Sequence, residues 1–82
     1  LNSGTDVIPI RNFFLSNNIS EFKLSEEIIK NHEMYYQRII EFSYPIKIKK
    51  NATILVAHKI GDEHTNCNLI ESTKNFNIYE CK

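Results

Sequence analysis

The strongest helix-like periodicity in the chain lies between Ser25 and Phe42. Apolar and aromatic residues recur there at steps of three and four, which places them along one stripe of an α-helix. An isolated helix of this length is only marginally stable in water, so the pattern predicts an amphipathic helix whose stripe must be covered by another element. The stripe consists of Ile28, Ile29, His32, Tyr35, Tyr36, Ile39 and Ile40.

Both ends of this helix carry local signals. Ser25 is a favourable N-cap, and the two glutamates that follow it suit the positive end of the helix dipole. Ser20 is an alternative cap for a longer helix. Pro45 prevents continuation, because it lacks a backbone N–H and pushes the residue before it towards extended geometry.

The segment before the helix is short and interrupted. Residues 1–6 are polar and typical of a loose terminus. Residues 7–10 contain a proline and predict at most a short edge strand. Phe13 and Phe14 begin an apolar cluster that we expect to pack under the helix, and the alternative is a hydrophobic lip for a ligand or partner. Residues 19–24 fit either a strand or the first helical turns.

After Pro45 the hydrophobic period changes to two, which indicates strands. Residues 44–49 predict a half-buried strand, and we expect Lys47, Lys49 and Lys50 on its solvent face rather than in a nucleic-acid contact. Residues 53–60 form the most continuously apolar strand, which we expect near the centre of the sheet. Residues 61–66 read as an exposed loop, and residues 67–81 as a hairpin.

The register of that hairpin follows from placing its two cysteines opposite each other. The loop then spans residues 73–75, with Asn75 in the left-handed conformation that such loops require. One face of the hairpin becomes aliphatic and aromatic, and the other carries the cysteines. The predicted pairs are Cys67 with Cys81, Leu69 with Tyr79, Ile70 with Ile78 and Ser72 with Phe76.

Two cysteines in this arrangement predict a disulfide between Cys67 and Cys81. Closing a loop of this size contributes about 3 kcal/mol in the chain-entropy description, a large share of the stability of a small domain. A disulfide indicates an oxidising compartment, either the bacterial periplasm or the exterior of the cell. The alternative is a pair of buried free thiols in a cytosolic protein.

Length, charge and the absence of known motifs narrow the range of possible functions. The 82 residues predict a single small domain, and a formal net charge of zero argues against direct nucleic-acid binding. The chain begins with Leu1, which we interpret as a processed product or a fragment. No apolar run spans a bilayer, so any membrane attachment requires a segment outside this chain. Because no phosphate-binding loop, nucleophile elbow or zinc motif occurs, we predict no enzymatic activity, cofactor or metal.

Three histidines supply the candidate chemistry. The simplest interpretation of His32 and His58 is that each is a core histidine with a hydrogen-bonded ring. The functional interpretation is a polar group in an apolar ligand pocket or a pH-sensitive element, in which both rings bind one ligand or each other. Asp62, Glu63 and His64 are adjacent in the loop, and we expect a solvated turn rather than a metal or acid–base site.

The C-terminal hairpin resembles a known family. Residues 67–70 (CNLI) and 76–82 (FNIYECK) are similar to the end of the periplasmic domains in the ToxR/TcpP group of membrane-bound transcription regulators. These regulators cross the membrane once and carry a cytoplasmic winged-helix DNA-binding domain. The resemblance implies a small periplasmic α/β domain that senses envelope conditions, bile salts in some members, together with a co-encoded partner. It assigns no ligand-binding residue.

The predicted fold is α+β, with one main amphipathic helix on an antiparallel sheet of three to five strands and a disulfide-closed C-terminal hairpin. We predict a non-catalytic periplasmic sensor that binds an amphipathic ligand, a protein partner in a hetero- or homodimer, or both, because the apolar surface exceeds what one helix covers. Alternatives are a secreted inhibitor, toxin subunit or immunity-type protein, and a pilus or secretion component. The predicted lining residues are Phe13, Phe14, His32, Tyr35, Tyr36, Ile39 and His58.

Overall fold

The computed structural model describes residues 5–82, which form three helices and five strands. Most of the terminus predicted to be loose therefore lies outside the described residues. The elements in chain order are α1 (Ile8–Ser16), β1 (Glu21–Leu24), α2 (Glu26–Asn31), α3 (Glu33–Phe42), β2 (Lys47–Ile48), β3 (Ile54–His58), β4 (Asn68–Ser72) and β5 (Phe76–Glu80).

The strands form one sheet in the order β2-β1-β3-β5-β4. The α+β fold, the central place of β3 and the disulfide-closed hairpin are confirmed. The sheet is mixed instead of purely antiparallel, because β1 runs parallel to both of its neighbours. Parallel neighbours require a crossover connection, and α2 with α3 supplies it between β1 and β2.

The N-terminal segment is a helix, so the prediction of an edge strand at residues 7–10 is wrong. A proline is tolerated in the first turn of a helix, where its missing N–H would have no partner. The helix buries Phe14 against Phe22 of β1, with ring centroids 5.0 Å apart. The expected packing of the phenylalanine cluster into the core is thus confirmed for Phe14.

The predicted long helix is two helices, which meet at His32. The Ser25 cap is confirmed, because its Oγ accepts a hydrogen bond from the backbone N–H of Ile28 at 3.1 Å. The predicted stripe is only partly covered: Ile28 and Ile39 are fully buried, whereas other members of the stripe are open to solvent.

The strand predicted at residues 44–49 shortens to the two residues of β2. Tyr44 is 81% exposed, and the peptide bond between Tyr44 and Pro45 is cis. Only Ile46 of this segment belongs to the core.

The hairpin register is correct at its open end and wrong by one residue nearer the loop. Leu69 pairs with Tyr79 as predicted, but a β-bulge at Ile70 leaves Glu71 opposite Ile78. The extra residue shifts every later pair. Asn75 does not adopt the predicted left-handed conformation. Among residues 5–82, the non-glycine residue with a positive φ is Asn18.

The sheet has two different faces. The helices cover one face and enclose the main core. The opposite face carries a smaller cluster of Leu55, Ala57 and Tyr79 beside the disulfide. The main core consists of Val7, Ile10, Phe14, Phe22, Leu24, Ile28, Ile39, Ile46, Val56, Phe76 and Ile78.

Candidate functional site: an apolar groove with a lysine rim

An open groove of about 660 Å³ lies beside the start of α2. This volume lies within the range of small-molecule binding sites. Its wall combines the end of β1, both helices of the crossover, β2 and the disulfide. The residues that line it are Lys23, Leu24, Ser25, Glu26, Ile29, Tyr36, Ile48, Lys49, Lys50, Leu55, His64, Cys67 and Cys81.

The interior of the groove is apolar. Leu24 and Leu55 are nearly buried, and the disulfide packs beside the cluster that contains Leu55. Ile29 of α2 and Ile48 of β2 also line the groove, although 40% and 39% of their surfaces remain exposed to solvent. Exposed aliphatic side chains that converge on one concavity leave apolar area that a ligand can remove from water.

Lysines form the rim of the groove. Lys23, Lys49 and Lys50 line it together with a single carboxylate, that of Glu26. The Lys49 ammonium lies 3.8 Å from Glu21, and Glu26 is 3.3 Å from a lysine of its own helix, Lys30. Neither Lys23 nor Lys50 pairs with a carboxylate of the described residues. These two ammonium groups therefore give the rim a positive charge.

One wall of the groove is held by Asp62, which the sequence analysis assigned to a solvated turn. That prediction is wrong: Asp62 is 8% exposed. Its Oδ2 accepts hydrogen bonds from Ser25 Oγ at 2.5 Å and from the His58 backbone N–H at 2.8 Å, and its Oδ1 lies 2.9 Å from His64 Nε2. The remaining loop residues 61, 63, 65 and 66 are exposed, as predicted.

The electrostatics of Asp62 follow from these contacts. Burial acts to raise the pKa of the carboxyl, but the hydrogen bonds from Ser25, His58 and His64 outweigh it, so the pKa lies below its ordinary value of 3.8. Asp62 thereby joins the N-cap of α2, the end of β3 and the loop. The His64 ring, positioned by this carboxylate, packs edge-on against Tyr79 with centroids 5.5 Å apart.

The serine, aspartate and histidine of this cluster do not form a catalytic triad. In a triad the histidine bridges the hydroxyl and the carboxylate. Here the Ser25 hydroxyl donates directly to Asp62 and accepts from Ile28, and the residue is 2% exposed. The arrangement activates no nucleophile and acts as a polar clamp between three elements.

A second cluster is aromatic and lies at the joint between α2 and α3. The His32 and His58 rings stack with centroids 4.1 Å apart and an interplanar angle of 4°. The Tyr35 ring lies 5.5 Å from His58 and packs edge-on against Phe76 at 5.0 Å. The Arg38 guanidinium lies 5.9 Å from the Tyr35 ring centroid.

The predicted lining residues therefore do not form one site. Phe14 and Ile39 lie in the main core, and Phe13 is partly buried against it. Tyr36 is the one member of the predicted set that lines the groove. The remaining three, His32, Tyr35 and His58, meet in the aromatic cluster.

Sequence reasoning missed the cationic side of the groove. It placed Lys49 and Lys50 on the solvent face of a strand and did not connect them with Lys23. The parallel pairing of β1 with β2 brings the three lysines together. The signal in the sequence that could have indicated a cationic surface was the close spacing of Lys49 and Lys50 directly after the apolar residues of the predicted strand.

The fold and the groove define a small, disulfide-bonded α+β domain with an open, largely apolar groove. Comparisons with protein-family models, curated proteins and solved structures each gave no match. Within residues 5–82, none of the helices has the length and apolar character needed to cross a bilayer. The same residues contain no cluster of three or more histidine, cysteine or acidic side chains suited to a metal ion.

Proposed function

We propose that the chain is a non-catalytic binding domain that holds a small amphipathic anion in the groove. The observation that carries this proposal is the combination of an apolar interior with two lysine ammonium groups that no described carboxylate pairs with. The apolar body of the ligand covers Ile29 and Ile48, the exposed aliphatic side chains of the groove. Its acidic group lies between Lys23 and Lys50 at the rim.

The disulfide and the C-terminal resemblance supply the cellular context of the proposal. A cystine is retained in an oxidising compartment, for which we propose the periplasm. The domain then acts as the sensor of a membrane-bound transcription regulator, and bile salts and fatty acids are the ligands of suitable chemistry.

The test is a titration of labelled protein with taurocholate and with dodecanoate, each below its micelle concentration, followed by amide NMR. We expect shifts at Ile29, Ile48 and Lys50. Because exposed ion pairs each contribute about 0.2–1 kcal/mol, the double variant Lys23→Gln, Lys50→Gln should bind about twofold to thirtyfold more weakly.

The matched control is Lys74→Gln, which removes an exposed lysine of the β4–β5 loop, away from the groove. Its affinity should equal that of the wild type. A neutral detergent, decyl maltoside, tests the role of charge. Equal binding of decyl maltoside and taurocholate, or shifts that avoid the groove, would contradict the proposal.

A protein partner is the second candidate, since exposed apolar residues lie outside the groove. Ile40 is 46% exposed near the end of α3, and Tyr44 is 81% exposed in the turn that follows. Their exposure favours a protein-contact surface at the end of α3. A sensor would bind a co-encoded partner there, and a secreted inhibitor would bind its target protein there. Loss of partner binding in Tyr44→Ser, with unchanged taurocholate affinity, would assign the partner to this surface.

A further inference from the structure

The joint between α2 and α3 departs from the sequence pattern in a specific way. The stripe of residues 28–40 predicts one helix, yet the backbone at His32 takes φ −132° and ψ 61°. Neither neighbour, Asn31 or Glu33, is a proline or glycine, so local backbone chemistry does not require the break. We attribute the break to the contacts of the His32 side chain.

The His32 ring lies flat on the His58 ring, with centroids 4.1 Å apart and planes within 4°. The position of His58 is fixed by β3 and by the contact of its Nδ1 with the Ile60 backbone, whose N and O each lie 3.1 Å away. Tyr35 closes the cluster on the α3 side. The stack therefore ties the joint to the sheet.

The surrounding charges compensate one protonated ring but not two. Glu27 of α2 lies 3.4 Å from His32 Nε2 and suits a charged His32. On the His58 side, the Asp62 carboxylate accepts a hydrogen bond from the His58 backbone N–H and not from the His58 ring. From α3, the Arg38 guanidinium near Tyr35 is already paired with Asp6 at 3.0 Å, and Glu33 lines the same concavity as the His32 ring. Two parallel imidazolium rings at this separation repel each other.

We propose that the His32–His58 stack is a proton-responsive switch. When both rings are charged the stack opens, and α2 and α3 join into the continuous helix that the stripe predicts. Histidine side chains change charge between about pH 5 and pH 8. If the open form binds one more proton than the stacked form, each unit of falling pH raises the open-to-stacked ratio by up to about tenfold.

The switch also bears on the groove, and this part rests on the proposed function. Ile29 lies before the joint and Tyr36 after it, and both line the groove. Straightening the joint moves these two side chains relative to each other. The affinity for taurocholate, whose sulfonate stays ionised, should therefore differ between about pH 7.5 and about pH 5 by about fivefold or more.

The decisive experiment needs no ligand. Backbone ¹³Cα shifts of Asn31 and Glu33, the two neighbours of His32, are followed in the full chain from about pH 7.5 to about pH 5, the range in which histidines charge. In the wild type we expect these shifts to move towards helical values. His58→Phe keeps a ring for the stack but cannot charge, so its shifts should stay constant.

Two further variants make the result unambiguous. His64→Gln removes the remaining histidine and should respond as the wild type does. His32→Phe replaces His58→Phe if circular dichroism shows that the latter does not fold. Constant wild-type shifts, or equal movement in the wild type and the phenylalanine variant, would overturn the switch. An opening joint with equal taurocholate affinity at both pH values would overturn only its coupling to the groove.

Discussion

At the scale of single residues, Asp62 is the side chain whose role depends most on the fold. Its carboxylate accepts hydrogen bonds from a helix cap and a strand end and contacts a loop histidine, although in the sequence it is one acidic residue in a polar loop. Removing one partner of a buried, charged hydrogen-bond network leaves the others unsatisfied. The clamp therefore predicts an effect on stability far larger than a surface carboxylate would have.

Asp62→Asn should lower the free energy of unfolding by about 1–3 kcal/mol, because the charged acceptor of this network is lost. The measurement is urea denaturation near neutral pH. Glu63→Gln is the matched control, since Glu63 is the exposed neighbour in the same loop, and it should change stability by less than about 0.5 kcal/mol. Equal effects of the two substitutions would refute the clamp.

The same carboxylate predicts a pH dependence. The pKa of Asp62 is lower in the folded chain than its ordinary value of 3.8, so the unfolded chain binds the proton more readily. Its contribution is fully present above the unfolded pKa and is lost as pH falls through the folded pKa. Wild-type stability should therefore drop below about pH 4, and Asp62→Asn should show a shallower drop. Parallel acid profiles would contradict this assignment.

Phe14 tests the orientation of α1. Phe14→Ala should cost about 3–5 kcal/mol, because the ring is fully buried against Phe22. Leu15→Ala, at a position 49% exposed on the same helix, should cost much less. Thermal and urea unfolding of both variants provide the comparison. A larger loss for Leu15→Ala would reverse the inferred face of the helix.

At the scale of elements, the capping signal at the start of the predicted helix was more informative than the length of its hydrophobic pattern. The sequence proposed two caps for the long helix, and Ser25 is the one in use. The hydrophobic period located α2 and α3 but not the break between them, because the stack with His58 is a contact between distant residues. The hydrophobic period did not locate the bulge in β4 either. The predicted pairs of the hairpin are therefore correct only at the end nearest the disulfide.

The choice of cap can be tested directly. Ser25→Ala should cost about 0.5–2 kcal/mol, since it removes the acceptor for the Ile28 N–H and the donor to Asp62. Amide hydrogen exchange should accelerate first in α2. Ser20→Ala, which alters the unused cap at an exposed position, should leave α2 protected. Faster exchange in the Ser20 variant would contradict the assignment.

At the scale of the whole molecule, the disulfide holds the second face of the sheet together. It joins the loop before β4 to the end of β5, and the Cys81 backbone N–H also bonds to the Thr53 carbonyl at 2.7 Å. The smaller cluster of Leu55, Ala57 and Tyr79 lies beside it.

Breaking the bridge should lower the free energy of unfolding by about 3 kcal/mol, because the unfolded chain regains loop entropy. The measurement is urea denaturation of the Cys67→Ser, Cys81→Ser variant beside the oxidised wild type. Adding reductant should reproduce the loss in the wild type and leave the variant unchanged. Titration of denatured, non-reduced wild type should detect no thiols, and two thiols would refute the bridge.

By itself, the sequence predicted the α+β class, the amphipathic helical region, the central strand and the pairing of Cys67 with Cys81, and it offered Ser25 as one of two candidate helix caps. These features depend on period, cap chemistry and local register, which neighbouring residues set. Only the tertiary structure decided the parallel placement of β1, the burial of Asp62 and the meeting of Lys23 with Lys50. Those contacts join residues far apart in the chain, and no local pattern specifies which distant surfaces will pack together.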